Sequence, residues 1–129
     1  MSPLADGQLV YIVEDNEKNL KLARDVLRFH GFRTIEATDG ESAIAMSAEQ
    51  LPALVLMDIQ LPGMDGIAAM KRIRADERTK HIPTVALTAS VMTGDRERFN
   101  EAGFDGFIAK PIDVKTFPAT VRGYLEAKR

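Results

Sequence analysis

At 129 residues, 45% of them hydrophobic and 28% charged, the chain is the size of one domain and apolar enough to bury a single core. Its formal net charge of -2 provides no basic footprint for nucleic acid phosphates, so direct DNA binding is not expected. It has no cysteine, which excludes disulfides, thiolate metal sites and cysteine nucleophiles and fits a reducing cytosol.

The opening residues, MSPLADGQ, carry no basic segment ahead of an apolar one and do not read as a secretory signal. The longest strongly apolar stretch, Ala53 to Met57, falls far short of the ~20 residues that cross a bilayer. A soluble, cytoplasmic protein without membrane insertion is expected, with residues 1–8 as a tail and 9–127 as one domain.

In chain order, Leu9 to Val13 is a short β-branched, apolar run ending in acids, which suits a buried strand and is too short for a helix. Asn16 to His30 follows as a helix. Leu20, Ala23 and Leu27 share one face of it, Leu22, Val26 and Phe29 widen that face, and Gly31 is placed to end it. The same alternation returns as Phe32 to Ala37 then Glu41 to Gln50, Ala53 to Met57 then Gly66 to Glu77, and Thr84 to Leu87 then Met92 to Ala102. A last strand, Gly106 to Ala109, precedes a helix from about Asp113 to Ala127, with Val114, Phe117, Val121 and Leu125 on one stripe. Pro118 falls in the second turn of that span, where it removes one backbone bond.

Five apolar strands alternating with five helices predict a parallel sheet covered on both faces, a doubly wound α/β fold. Ligands of such folds sit outside the carboxyl ends of the strands, where the strand order reverses. Those ends carry Glu14 and Asp15, then Asp58, then Thr88, then Lys110 and Pro111. Three carboxylates brought together repel and raise at least one pKa unless a cation stands between them. An oxygen-only set without His or Cys suits Mg²⁺ better than zinc.

Taken singly, each residue has a plainer reading. Asp15 or Asn16 could cap the first helix, Asp58 could be a turn residue before Leu61-Pro62-Gly63, Thr88 could bond local backbone, and Lys110 could be a solvated charge. Their convergence on one sheet edge favours a site, because unrelated caps and turns do not require it. His30 in a last helical turn and His81 in a loop beside Pro83 do not read as phosphorylated histidines, and Met57, Met64, Met70 and Met92 read as packing.

The order of VEDN at Val13 to Asn16, LMDIQLPGMDG at Leu56 to Gly66, ALTA at Ala86 to Ala89 and AGFDGFIAKPI at Ala102 to Ile112 resembles the receiver domain of two-component response regulators. The match covers nearly the whole chain. The EDNEKNLKLARDVL stretch is similar to stand-alone DivK-type regulators and to receivers of hybrid histidine kinases. The resemblance implies a flavodoxin-like strand order 2-1-3-4-5 and a phosphoacceptor at Asp58. It also implies Mg²⁺, or Mn²⁺ in its place, held by the side chains of Asp15 and Asp58, by Glu14 through a water and by the backbone carbonyl of Gln60. Lys110 would pair with one phosphoryl oxygen, Thr88 would bond another, and Phe107 matches a mobile aromatic position. Lys110-Pro111 is a candidate cis bond, because only X-Pro makes that isomer cheap. Two departures stand out: Glu14 replaces the commoner Asp, and Phe107 lacks the hydroxyl of a Tyr.

The family further implies a histidine kinase or histidine phosphotransfer protein as partner and, with one helix after Pro111, output through the protein's own surface. Thr88 leads into the fourth helix and Phe107 lies on the last strand, so the face formed by that helix, that strand and the last helix is the expected output surface. The charged run Asp95, Arg96, Glu97, Arg98, Asn100 and Glu101 leaves the fourth helix poor in core anchors. The start at Met1 and the short tail suit a stand-alone regulator, against a fragment of a hybrid kinase. A haloacid-dehalogenase-like phosphatase needs a second Asp two residues past its nucleophile, where this chain has Gln60. An FMN carrier needs a neutral phosphate loop after its first strand, where this chain has Glu14-Asp15-Asn16-Glu17.

Overall fold

The computed structural model describes residues 8–89 and 95–127. Its elements run β1 Leu9–Val13, α1 Glu17–Phe29, β2 Arg33–Ala37, α2 Gly40–Gln50, β3 Leu54–Asp58, α3 Gly66–Ala75, β4 Thr84–Thr88, α4 Asp95–Ala102, β5 Gly106–Ala109 and α5 Phe117–Ala127. The strands form one sheet in the order β2-β1-β3-β4-β5, and every pairing is parallel. The predicted α/β architecture and strand order are therefore present.

Alternation along each strand divides the core in two. Val10, Ile12, Leu54, Leu56, Val85 and Leu87 face α1 and α5. Tyr11, Val13, Val55, Met57 and Ala86 face α2, α3 and α4. Both faces are covered, which is why these strands read as continuous apolar runs rather than alternating ones. α2 presents small buried residues, Gly40, Ala43 and Ser47, and a Cβ at Gly40 would already lie 3.2 Å from the Ala69 Cβ of α3. That close approach ties α2 to α3. Tyr11 fixes the start of α2 from inside the sheet, its hydroxyl donating to the Ser42 carbonyl at 3.0 Å.

Three local expectations need correction. On α1 only Leu20, Ala23 and Leu27 are buried; Leu22 and Phe29 are 37% and 84% exposed, so they form a solvent-facing stripe. α5 starts at Phe117, not near Asp113. Asp113 instead closes a turn, its side chain accepting from the Lys115 N–H and its carbonyl from the Thr116 and Phe117 N–H groups. Pro118 thus lies in the first helical turn, where a missing N–H costs no bond, and Val114 is left exposed. α3 stops at Ala75, with Asp76 as C-cap. The expected first turn of α4, residues 92–94, lies outside the described residues, as do residues 1–7 of the tail and Met92.

At the amino-terminal edge of the sheet, Arg74 gathers the ends of three elements. Its guanidinium donates to the carbonyls of Lys80, Ile82 and Gly103 and to the Asp105 carboxylate, and Asp105 in turn accepts from the Thr84 N–H at 2.8 Å. The planar guanidinium fork meets several acceptors at once. The entries to β4 and β5 are fixed there, which aligns their opposite, carboxyl ends.

Candidate functional site

The sheet order reverses at β1, whose neighbours are β2 and β3, and the carboxyl ends of β1 and β3 carry the acids. Asp58 closes β3 and Thr88 closes β4; both had been expected one position past the strands. Glu14 follows β1, and its N–H donates to the Ala37 carbonyl at 3.0 Å, continuing the pairing with β2. Lys110 follows β5, and its N–H donates to the Thr88 carbonyl at 2.8 Å. The Lys110-Pro111 peptide is cis.

Asn16, not Asp15, caps α1, its side chain accepting from the Asn19 N–H at 3.1 Å. Asp15 is thereby left exposed and without a capping duty. Glu14 and Asp58 are buried, with 1% and 3% of their surface exposed. One carboxylate oxygen on each of Glu14, Asp15 and Asp58 lies within 4.8 Å of the other two. The three residues can face one cation.

The carboxylates are held by donors from three segments. Asp58 Oδ1 accepts from the Gln60 N–H at 3.0 Å, and Oδ2 accepts from Lys110 Nζ at 3.1 Å. Glu14 Oε1 accepts from the same ammonium at 2.9 Å, and Oε2 accepts from the Asn16 N–H at 3.2 Å. Burial pushes the Glu14 carboxyl up to about 7 and the neighbouring Asp58 carboxyl adds to the rise, while Lys110 and the Asn16 N–H oppose it. Burial works against the charged form of Lys110, but its bonds to Glu14 and Asp58 win and the amine is raised above its ordinary value.

The chemistry of the donor set fits a hard divalent cation. It is all oxygen, it concentrates negative charge, and burial together with the neighbouring Asp58 carboxyl pushes Glu14 toward its neutral form, which a cation between the acids would oppose. Asp58, Gln60, Thr88, Lys110 and Arg98 line one cleft of about 90 Å³ above the acceptor. Phe107 does not reach it. Phe107 and Pro111 line a second cleft of about 310 Å³ between β5 and α5. Sequence reasoning missed two features: the Glu14–Lys110 contact, and the place of Arg98 in the acceptor cleft. The only signal for Arg98 was its position beside Phe99, the one large apolar residue inside the charged run.

One edge of a doubly wound sheet thus assembles an acid cluster, a strand-end hydroxyl and a lysine before a cis proline. The family model described as "Response regulator receiver domain" matches residues 10–122. The polar-differentiation response regulator DivK of Brucella ovis is 45% identical over 116 residues, covering 90% of this chain and 94% of that protein. The receiver domain of a sensor histidine kinase from Pseudomonas aeruginosa PAO1, solved with a magnesium ion in its active-site cleft, is 34% identical. It covers 93% of this chain and 98% of that one, with a TM-score of 0.85. The chemotaxis response regulator CheY4 of Vibrio cholerae, 22% identical with a TM-score of 0.86 over 92% of this chain and 98% of that chain, shares the fold. Fold, acid cluster and sequence agree, and this chain belongs to the response regulator receiver domain family.

Proposed function

We propose that the protein accepts a phosphoryl group from phosphohistidine onto Asp58, with Mg²⁺, and signals by phosphorylation-dependent protein binding. The observation that carries this reading is the Asp58 carboxylate, buried at the end of β3 and held between the Gln60 N–H and the Lys110 ammonium beside Glu14 and Asp15. In the transfer, an Asp58 oxygen bonds to phosphorus as the P–N bond of the donor imidazole breaks, and the imidazole keeps the electron pair. Phosphoryl transfer demands positioning and charge neutralisation more than covalent assistance. Asp58 is held in place by its two donors, Lys110 faces the incoming oxygens, and Thr88 offers its hydroxyl to the group once attached.

Glu14, Asp15, Asp58 and the backbone carbonyl of Gln60 would hold Mg²⁺, or Mn²⁺ as a substitute. When bound, the ion neutralises charge between the carboxylates and the phosphoryl oxygens. The protein acts in this reading as a phosphoacceptor rather than a turnover enzyme, with at most self-phosphorylation from small donors and self-dephosphorylation. Residues 9–127 form the receiver unit, working in the cytoplasm with a histidine kinase or phosphotransfer protein. Its output is the α4, β5, α5 face, where Phe107 responds to the new group.

Acetyl phosphate with Mg²⁺ tests the acceptor directly. Intact mass is expected to show one added phosphoryl group on the wild type and none on Asp58→Asn. A fully labelled variant would overturn the assignment of Asp58.

A further inference from the structure

We propose that Arg98 is a phosphoryl-binding residue, its guanidinium closing on the group carried by Asp58 beside Lys110 and Thr88. This rests on the acceptor reading above and adds a contact from α4. Glu97, Arg98, Asn100 and Glu101 of α4 are exposed, whereas Phe99 is buried. Phe99 packs edge-on against Phe104 at 6.2 Å and beside Phe107 at 6.3 Å, which fixes how the helix is rolled about its axis. The residue before it stands ~100° around the helix, and that flank is the one facing the acceptor. Arg98 accordingly lines the same cleft as Asp58, Thr88 and Lys110.

Charge supplies the second reason. Lys110 already donates to both Glu14 and Asp58. A phosphoryl group brings further negative charge and three strong acceptor oxygens, more than one ammonium and one hydroxyl satisfy. A guanidinium offers a planar fork that can take two of those oxygens at once. The guanidinium carbon of Arg98 lies 5.1 Å from the Phe99 ring centroid, and Phe99 touches the surroundings of Phe107. A pull on Arg98 is therefore transmitted to the aromatic pair, giving the phosphoryl group a path to the output face.

Beryllofluoride, which adds to a carboxylate as a phosphoryl mimic, separates this proposal from the acceptor reading. Its affinity for the intact protein with Mg²⁺ is expected to fall roughly three- to tenfold in Arg98→Ala, between the strength of an exposed ion pair and that of a charge-assisted hydrogen bond. Arg98→Lys should lose less and Arg98→Glu more, with all three variants folded and none losing Mg²⁺ affinity in the unmodified state. Equal affinity in wild type and Arg98→Ala overturns the proposal, as does a loss that ignores the charge order or is matched by lost Mg²⁺ affinity. Wild type that takes up no beryllofluoride would overturn the acceptor reading itself, and this contact with it.

Discussion

The Lys110 ammonium stands 2.9 Å from Glu14 Oε1, across 96 residues of sequence. Glu14 is 1% exposed, so this contact and the Asn16 N–H are what oppose its tendency to take up a proton. The lysine proposed to pair with the phosphoryl group also steadies the resting acid cluster.

That relationship sets a pH dependence. The Glu14 carboxyl moves from an ordinary 4.5 to about 7 on folding, so the folded chain holds the proton more tightly than the unfolded chain. This group's contribution to stability is complete below about pH 4.5 and is lost as pH rises through 7. In chelator, metal-free wild type is expected to lose up to roughly 3 kcal/mol from this source between acid and mildly alkaline pH. Glu14→Gln should lack that slope. Urea denaturation of both proteins at about pH 5 and about pH 8 measures it; parallel slopes would show that the Glu14 charge is not what burial penalises.

Mg²⁺ affinity should depend on Asp15 more than on Glu14. Asp15 is exposed and free of the capping role, which Asn16 takes. Glu14 has both oxygens engaged, by Lys110 and by the Asn16 N–H. Removing a group that acts through a bound water costs about 10–100-fold in affinity, and removing a direct ligand costs more. Titrations of Asp15→Ala and Glu14→Ala check the order, and equal losses would mean that the acids have been assigned wrongly.

Gly66 sets the backbone beneath the acceptor. A Cβ there would fall 2.1 Å from the Asp58 carbonyl oxygen and 2.9 Å from the Ile59 Cα, both main-chain atoms with no rotamer to yield. The Gly66 N–H also donates to the Ile59 carbonyl at 2.9 Å. Gly66→Ala is expected to destabilise by about 1–3 kcal/mol or more, as overpacking does, and to slow phosphorylation at Asp58. Unchanged urea midpoint and labelling rate would show that the loop relaxes freely.

How much of this was legible follows from what sequence periodicity can carry. β1 and β3 were readable because both their faces are buried and their apolar runs are unbroken. The α1 stripe misled, because Leu22 and Phe29 share the helical spacing of buried residues yet stand 37% and 84% exposed among the described residues. The start of α5 was hidden because the Asp113 turn replaces the first helical turn, a choice that Pro118 permits but does not announce. The site residues Asp58, Thr88 and Lys110 could be found from the ends of strands. The Arg74–Asp105 hub and the Tyr11–Ser42 bond could not, since each joins residues about 30 apart whose pairing depends on the finished sheet.

The output face can be tested against the stripe that sequence reasoning placed inside. Phe107 is half-buried on the α4 side of β5, its ring 6.3 Å from that of Phe99, so a shift of α4 changes what the ring packs against. Among the described residues of α4, Phe99 is the anchor and the charged side chains at 97, 98 and 101 are exposed, so the helix can shift while few core contacts are lost. Leu22 and Phe29 on α1 offer the rival surface, an exposed apolar pair on a helix that is not part of the α4, β5, α5 face. Partner affinity should be measured with and without beryllofluoride for wild type, Phe107→Ala, Glu97→Lys and Phe29→Ala. If output runs through α4, β5 and α5, the ratio between the two states collapses in Phe107→Ala and changes in Glu97→Lys. Phe29→Ala should then lower affinity equally in both states or not at all. A ratio abolished by Phe29→Ala and preserved in Phe107→Ala would move the output surface to α1 while leaving Asp58 as the acceptor.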